Sequence, residues 1–303
     1  MSCRRAAAPW RPMRRRLIAA AAAAVAVMAA GAACASPTDL YFERNVMSAA
    51  GQRCGLFSPE LAAALDSAAA QARGAALRAG ASEQSLAVLR QRAVARAAGV
   101  ACGSKDMNAA AARVRAAFDG YAHLQKMNFP GDLSDWTAQR SQAQRTMVWR
   151  LAQTSRFGAD SMSFGLAGQG GASALVAAVS FADGAQPYAA RLVLRDVTRA
   201  SQPCLGQAGQ GLVARMPLAG ARTAYLAEAR DAAPSSLLPY GARTGLVFRF
   251  PHAAADALAG LDPREAVAVE FVFQGRVGDM VRTAYVEVGD FAAGRAFLAA
   301  AQR

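Results

Sequence analysis

The chain has 303 residues, 34 basic against 21 acidic side chains, a formal charge of +13 at pH 7 and 54% hydrophobic residues. Lysine occurs only at Lys105 and Lys126, and the arginines are scattered without a dense basic run or interleaved aromatics, which excludes the clustered footprint of a nucleic-acid binder. Two histidines and no C-x-x-C spacing exclude a histidine-rich or zinc-ribbon metal site.

The first 35 residues read as an export signal. Arg4, Arg5, Arg11, Arg14, Arg15 and Arg16 form a positive leader without an acid, and residues 17–30 are apolar. Gly31 breaks the run, and Ala33-Cys34-Ala35 places small residues at −3 and −1 for cleavage between Ala35 and Ser36. A membrane span needs ~20 strongly apolar residues, and this shorter run is mostly alanine. Gly31-Ala32-Ala33-Cys34 also resembles a bacterial lipoprotein box, with Gly31 where the box prefers leucine. In that alternative Cys34 becomes the lipidated N-terminus and tethers the protein to a membrane. Cleavage after Ala35 leaves 28 bases against 21 acids, a charge of +7.

Export fixes the redox state of the remaining cysteines, Cys54, Cys102 and Cys204. In an oxidising compartment two of them pair. Cys54 and Cys102 each lie in a short glycine-flanked loop of one helical region, and a bridge there stabilises by roughly 4 kcal/mol in the chain-entropy model. Cys204 is left over as a buried thiol.

Residues 36–130 are expected to form a domain of four short antiparallel helices. Thr38 caps the first, whose Phe42, Val46 and Ala50 share a face up to Gly51. Ser58-Pro59-Glu60 opens the second, with cap, proline at the first helical position and acid in the first turn. Ser82 opens a third, with Leu86, Leu89, Ala93 and Ala97 inward, and Ser104 a fourth, whose stripe runs from Met107 through Phe118 to Tyr121 and Leu124.

Residues 131–303 are expected to form an antiparallel β domain. Residues 133–155 are ambiguous, because Trp136, Ala143, Met147 and Leu151 have helical spacing while Met147, Trp149 and Leu151 alternate. Strands follow at 161–166, 173–181, 188–197, 223–229, 246–250, 267–273 and 280–288. The glycine- and glutamine-rich residues 200–220 read as a surface loop. Helices are expected at 252–261 and, capped by Asp290, through Phe291, Phe297, Leu298 and Ala301. Helices followed by antiparallel strands give an α+β fold: a four-helix region, then a β-sandwich-like region with a C-terminal helix.

Residues 246–303 run strand, short helix (AAADALAGL), strand (AVAVEFVF), loop, strand (RTAYVEV), then a helix containing Gly289-Asp290-Phe291 and Ala296-Phe297-Leu298. This order resembles the C-terminal half of the secreted invasion-associated locus B family over about a fifth of the chain, without a cysteine pair in that region. The resemblance implies a β-sandwich and a non-catalytic role.

Catalytic motifs are sparse. There is no G-x-S-x-G, S-x-x-K, H-E-x-x-H or glycine-rich phosphate loop ending in lysine. GLAGQGG at 165–171 lies between strands and reads as a hairpin tip. His123 falls at the end of the fourth helix and His252 at the start of a short one. Asp132 and Asp135 beside Trp136 are the carboxylates best placed for a glycosidase pair, and a capped turn with a core aromatic is the preferred alternative. Tyr225, Tyr285 and Phe271 fit a sheet interior or its cross-strand pairs. The expectation is an exported, periplasmic or secreted, non-enzymatic protein that binds a protein or envelope partner. It uses no cofactor, metal or nucleic acid, and meets a membrane only through a lipid on Cys34. The alternatives are an envelope hydrolase using Asp132, Asp135 or His123, and a lipid-anchored structural protein.

Overall fold

The computed structural model describes residues 35–140, 143, 145–207 and 209–299. Residues 1–34, which include Cys34 and all but the last residue of the expected export signal, and Ala301 lie outside the described residues. Four serine-capped helices come first: α1 (Pro37–Cys54), α2 (Pro59–Arg78), α3 (Glu83–Ala98) and α4 (Lys105–Phe118). The cap of α1 is Ser36, not Thr38. Its hydroxyl accepts the Asp39 N–H at 3.2 Å, and the Asp39 carboxylate accepts the Ser36 N–H at 3.3 Å. Proline at the first helical position favours this earlier start.

The helix also passes through Gly51 and stops at Gly55 (φ +63°). Gly51 is a close-approach position, since a Cβ there would lie 2.5 Å from the Phe57 ring. The expected stripe on α4 ends at Phe118, and residues Tyr121–His123 form a separate 3-10 turn. A disulfide joins Cys54 to Cys102, with Cα atoms 5.5 Å apart. It ties the end of α1 to the turn before α4.

The strands are β1 (Lys126–Phe129), β2 (Trp136–Gln139), β3 (Val148–Phe157), β4 (Asp160–Gly168), β5 (Ala174–Ser180), β6 (Ala189–Arg195), β7 (Arg222–Leu226), β8 (Ala229–Ala232), β9 (Leu246–Arg249), β10 (Ala266–Gln274) and β11 (Asp279–Glu287). They build two antiparallel sheets, one ordered β1-β2-β3-β4-β5-β9-β8 and the other β11-β10-β6-β7. The fold is therefore α+β with a sandwich-like sheet arrangement, as the periodicities predict. The ambiguous residues after 130 are strands, and the β1–β2 pair bridges residue 130 with Phe129 opposite Trp136.

Residues 223–229 are not one strand. The Ala227 N–H still bonds the Ala190 carbonyl of β6, whereas the Glu228 N–H bonds the Arg249 carbonyl of β9. The chain therefore changes sheets within two residues, and β8 escapes a periodicity reading because it buries no side chain. Phe164, Leu175, Phe248, Leu192, Val269, Phe271 and Val286 fill the core between the sheets. Phe271 is fully buried, while Tyr225 and Tyr285 are half-buried. Two helices, α5 (His252–Ala259) and α6 (Phe291–Ala299), add Leu258, Phe291 and Phe297 to the same core. Among the described residues no helix is long and apolar enough to cross a membrane.

The helices dock on the sheets through α2 and α6. Ser67 donates to the Ala293 carbonyl at 3.0 Å and accepts from Tyr121 at 2.8 Å. Arg78 grips Asp290 with two bonds of 2.9 and 2.8 Å, so the carboxylate expected to cap α6 receives a cation from α2. Burial pushes the Asp290 carboxyl above its ordinary range, and Arg78 pulls it back. Gly74 makes room for this pair, because a Cβ there would fall 2.0 Å from Asp290 Oδ1. From Ala35 onward the chain forms one compact unit.

The 200–220 loop is anchored rather than free. Arg195 is bidentate to Glu265 at 2.6 and 2.8 Å and donates to the Ala200 carbonyl, while the Cys204 N–H bonds Glu265. Cys204 is a half-buried free thiol. On the other side, Arg282 of β11 bonds Asp160 of β4 and Asp183 in the turn after β5, tying the sheets together.

Two outcomes follow from these contacts. Arg78→Ala leaves a buried carboxylate unpaired and should cost about 3–5 kcal/mol. Gly74→Ala gains about 1 kcal/mol of helix propensity but should destabilise overall, because Asp290 is clamped and cannot yield; urea unfolding of both variants measures this. Arg282 and the Ala185 N–H hold the Asp183 carboxyl at about 2. A depressed carboxyl stabilises fully above its unfolded value of about 3.9 and loses that contribution as pH falls through about 2. An NMR titration should place Asp183 there, and Arg282→Ala should return it to the ordinary carboxylate range.

Candidate functional site

The carboxylates singled out in the sequence do not line an open catalytic cleft. The Asp132 carboxylate pairs with Arg215 at 3.1 Å, and Asp135 accepts the Gly131 N–H at 3.3 Å. Trp136 is fully buried, donates Nε1–H to the Val288 carbonyl at 2.9 Å and meets Phe291 edge-on. The turn is thus capped over a core aromatic, with no indole face available to a sugar. His123 is exposed on the 3-10 turn.

What organises this turn is Glu287, which sequence reading passed over as one residue of an alternating strand. Its carboxylate is fully buried and accepts the N–H groups of Asp132, Leu133 and Ser134 at 2.7, 2.7 and 2.8 Å. Three convergent amides on one carboxylate form an anion nest filled by the protein's own side chain.

An open cleft lies at the C-terminal end of β9. There the loop after β4, the end of β9, and helices α5 and α6 surround a cleft of about 580 Å³, within the size range of small-ligand sites. Leu166, Leu175, Phe250 and Leu298 form its apolar lining, and Arg249, His252, Arg295 and Glu228 its polar one. Alternation in β9 places these groups: Phe248 and Phe250 point into the core, which turns Arg249 outward. Pro251 then starts α5 and brings His252 to the rim.

Asp256, one turn along α5, accepts His252 Nδ1 at 2.9 Å on one oxygen and Arg295 Nη1 at 2.7 Å on the other. The Arg295 guanidinium is the main reason its carboxyl lies below the ordinary range. Arg249 is the contrasting group. It is exposed and, among the described residues, makes no side-chain hydrogen bond or ion pair. A second depression of about 270 Å³ on the outer sheet face, lined by Val176, Val247 and Asp231, also reaches Arg249 and Ser173. Among the described residues no three metal-ligating side chains converge, and no hydrogen bond joins Ser173 to His252.

Of the sequence-picked residues, His252 reaches this cleft, and so do Leu166 and Gly171 of the 165–171 stretch. The i, i+4 spacing of His252 and Asp256 was a legible signal. Arg249 and Arg295 had none, since they stand more than forty residues apart in separate elements. Comparison with protein-family models, with curated proteins and with solved structures returns no match.

Glu287→Gln keeps the shape of the nest residue but replaces a carboxylate accepting three amides with a group that has one acceptor oxygen. Charge-assisted hydrogen bonds are worth roughly 1.5–3 kcal/mol each, so a loss of that order is expected in urea unfolding, with accelerated amide exchange at residues 132–134.

Proposed function

We propose that this chain is an exported, non-enzymatic binding protein whose cleft at Arg249 takes a small amphipathic anion. The observation that carries the reading is the exposed Arg249 guanidinium, which makes no side-chain hydrogen bond or ion pair among the described residues, above a largely buried floor of Leu166, Leu175 and Phe250 in a ligand-sized cleft. An apolar body would cover Leu166, Leu175 and Phe250, while a carboxylate or phosphate would meet Arg249. The non-catalytic reading is supported by the lack of a nucleophile on the histidine. Asp256 orients His252 as a carboxylate orients a base, but among the described residues no hydrogen bond joins Ser173 or another hydroxyl to His252, and a nucleophile activated by a base requires such a pair.

Export is supported by the leader and by the disulfide, and placement in the periplasm or outside the cell is part of this proposal. It is also supported by Ser36, which would be the first mature residue. Its N–H already faces the Asp39 carboxylate, and a new α-amino cation at a helix N-terminus, unfavourable to the macrodipole, would be neutralised there. The resemblance of residues 246–303 to a secreted sandwich family belongs to the same reading.

Intact non-reduced mass spectrometry of protein made with its leader should give a chain starting at Ser36 and lighter by two hydrogens. Retention of residues 1–35 would overturn export, and an acylated Cys34 would move the protein to a membrane. Titration with a dansylated undecanoic acid should show saturable binding that weakens about tenfold or more in Arg249→Glu, the scale of one charge-assisted contact. Equal binding by both proteins would remove the cleft from the account, and turnover of an ester probe lost in His252→Ala would replace binding by catalysis.

A further inference from the structure

Helix α3 is presented outward in a way its packing does not require. It buries only Leu86, Ala93 and Ala97, a narrow stripe. Its ends are held instead by contacts from outside the helix. Ser82 and Ser85 form a reciprocal cap at the N-terminus, and Arg73 pairs with Glu83. At the C-terminus Arg53 donates to the Ala98 carbonyl at 3.1 Å and to the Val100 carbonyl, next to the Cys54–Cys102 bridge.

The surface so presented is basic and uncharged in turn. From residue 84 to 105 the chain carries Arg90, Arg92, Arg96 and Lys105 and no acid. The three arginines are exposed, and among the described residues none makes an ion pair or a side-chain hydrogen bond. At 100° per residue, Gln84, Val88, Gln91 and Ala95 fall opposite the buried stripe, Arg92 and Arg96 lie on one flank of them, and Arg90 lies near the edge of the buried stripe. Val88 and Val94 are 49% and 51% exposed. Exposed arginines on one helix, each on a long flexible stem, can extend to a layer of anionic lipid headgroups. The carboxylates that line depressions with Arg90 are Asp66, which is bonded to Ser48, and Glu83, which is paired with Arg73.

The N-terminal end of α1 lies beside this face. Ser36, Pro37 and Thr38 line one depression together with Val88, Leu89 and Arg92. Cys34 stands two residues before Ser36, a reach of about 7 Å of extended chain, so in the lipidated alternative an acyl chain on Cys34 would bring the bilayer within reach of the Arg92 flank. We propose that the exposed face of α3 is a membrane-contact surface that binds anionic lipid headgroups, acting alone weakly and as the second signal beside an acyl chain.

The test is co-sedimentation of the unacylated chain starting at Ser36 with vesicles of phosphatidylcholine containing about a third phosphatidylglycerol. Binding should fall with added salt and be absent with pure phosphatidylcholine. It should drop on the order of a hundredfold in the Arg90→Glu, Arg92→Glu, Arg96→Glu variant, given the contribution of each arginine near an anionic surface. An unchanged thermal transition and intact disulfide in the variant separate lost contact from lost fold, and single reversals, each expected to give a partial loss, serve if the triple variant is unstable. Equal binding to neutral and anionic vesicles, equal binding by the folded variant, or no vesicle binding together with capture of an acidic protein that the variant loses would each overturn the proposal.

Discussion

The Arg78–Asp290 pair fixes how this chain becomes one body. Helices of alanine-rich composition have shallow faces, and α2 could not register against α6 by side-chain shape alone. The bidentate bond does so, and it is available only because Gly74 carries no Cβ. A buried ion pair adds little net stability over an apolar contact of the same shape, but it is intolerant of a missing partner. Its contribution here is therefore to geometry: it sets where the four N-terminal helices sit on the sheets, and hence where α3 points.

The same logic recurs around the sandwich. Glu287, Glu265 and Asp160 are all buried, and each reaches outside its own element, to a turn, a long loop and a facing strand respectively. These carboxylates hold the irregular segments in place, so that a chain with long connections keeps a rigid shape. Asp132, Asp135 and Glu287 serve the architecture, whereas Arg249 at the end of β9 and Arg90, Arg92 and Arg96 along α3 are exposed.

Period and punctuation carried much of this into the sequence. The Ser-capped starts of α2, α3 and α4, the Cys54–Cys102 bridge and the alternation of β4, β6 and β10 were all readable, because each depends on neighbours within a few residues or on compartment. The errors have equally local causes. Thr38 competed with Ser36 one turn of reasoning away, Gly51 looked like a stop when it is a contact for Phe57, and β8 buries nothing that a periodicity could register. Of the polar groups in the open cleft only His252 was singled out, since a site assembled from a strand end and two helices leaves no spacing in the chain.

By itself, then, the sequence determined most of the helical and extended segments and which two cysteines pair, since those follow from hydrophobic period, turn chemistry and redox compartment. The tertiary structure alone decided which charges are paired. Arg78, Arg195 and Arg215 look in the chain like Arg90, Arg92 and Arg249, yet the first three are held by acids 212, 70 and 83 residues away. The physical reason is that solvation and ion pairing depend on what the fold places within a few ångströms, and no local pattern records that distance.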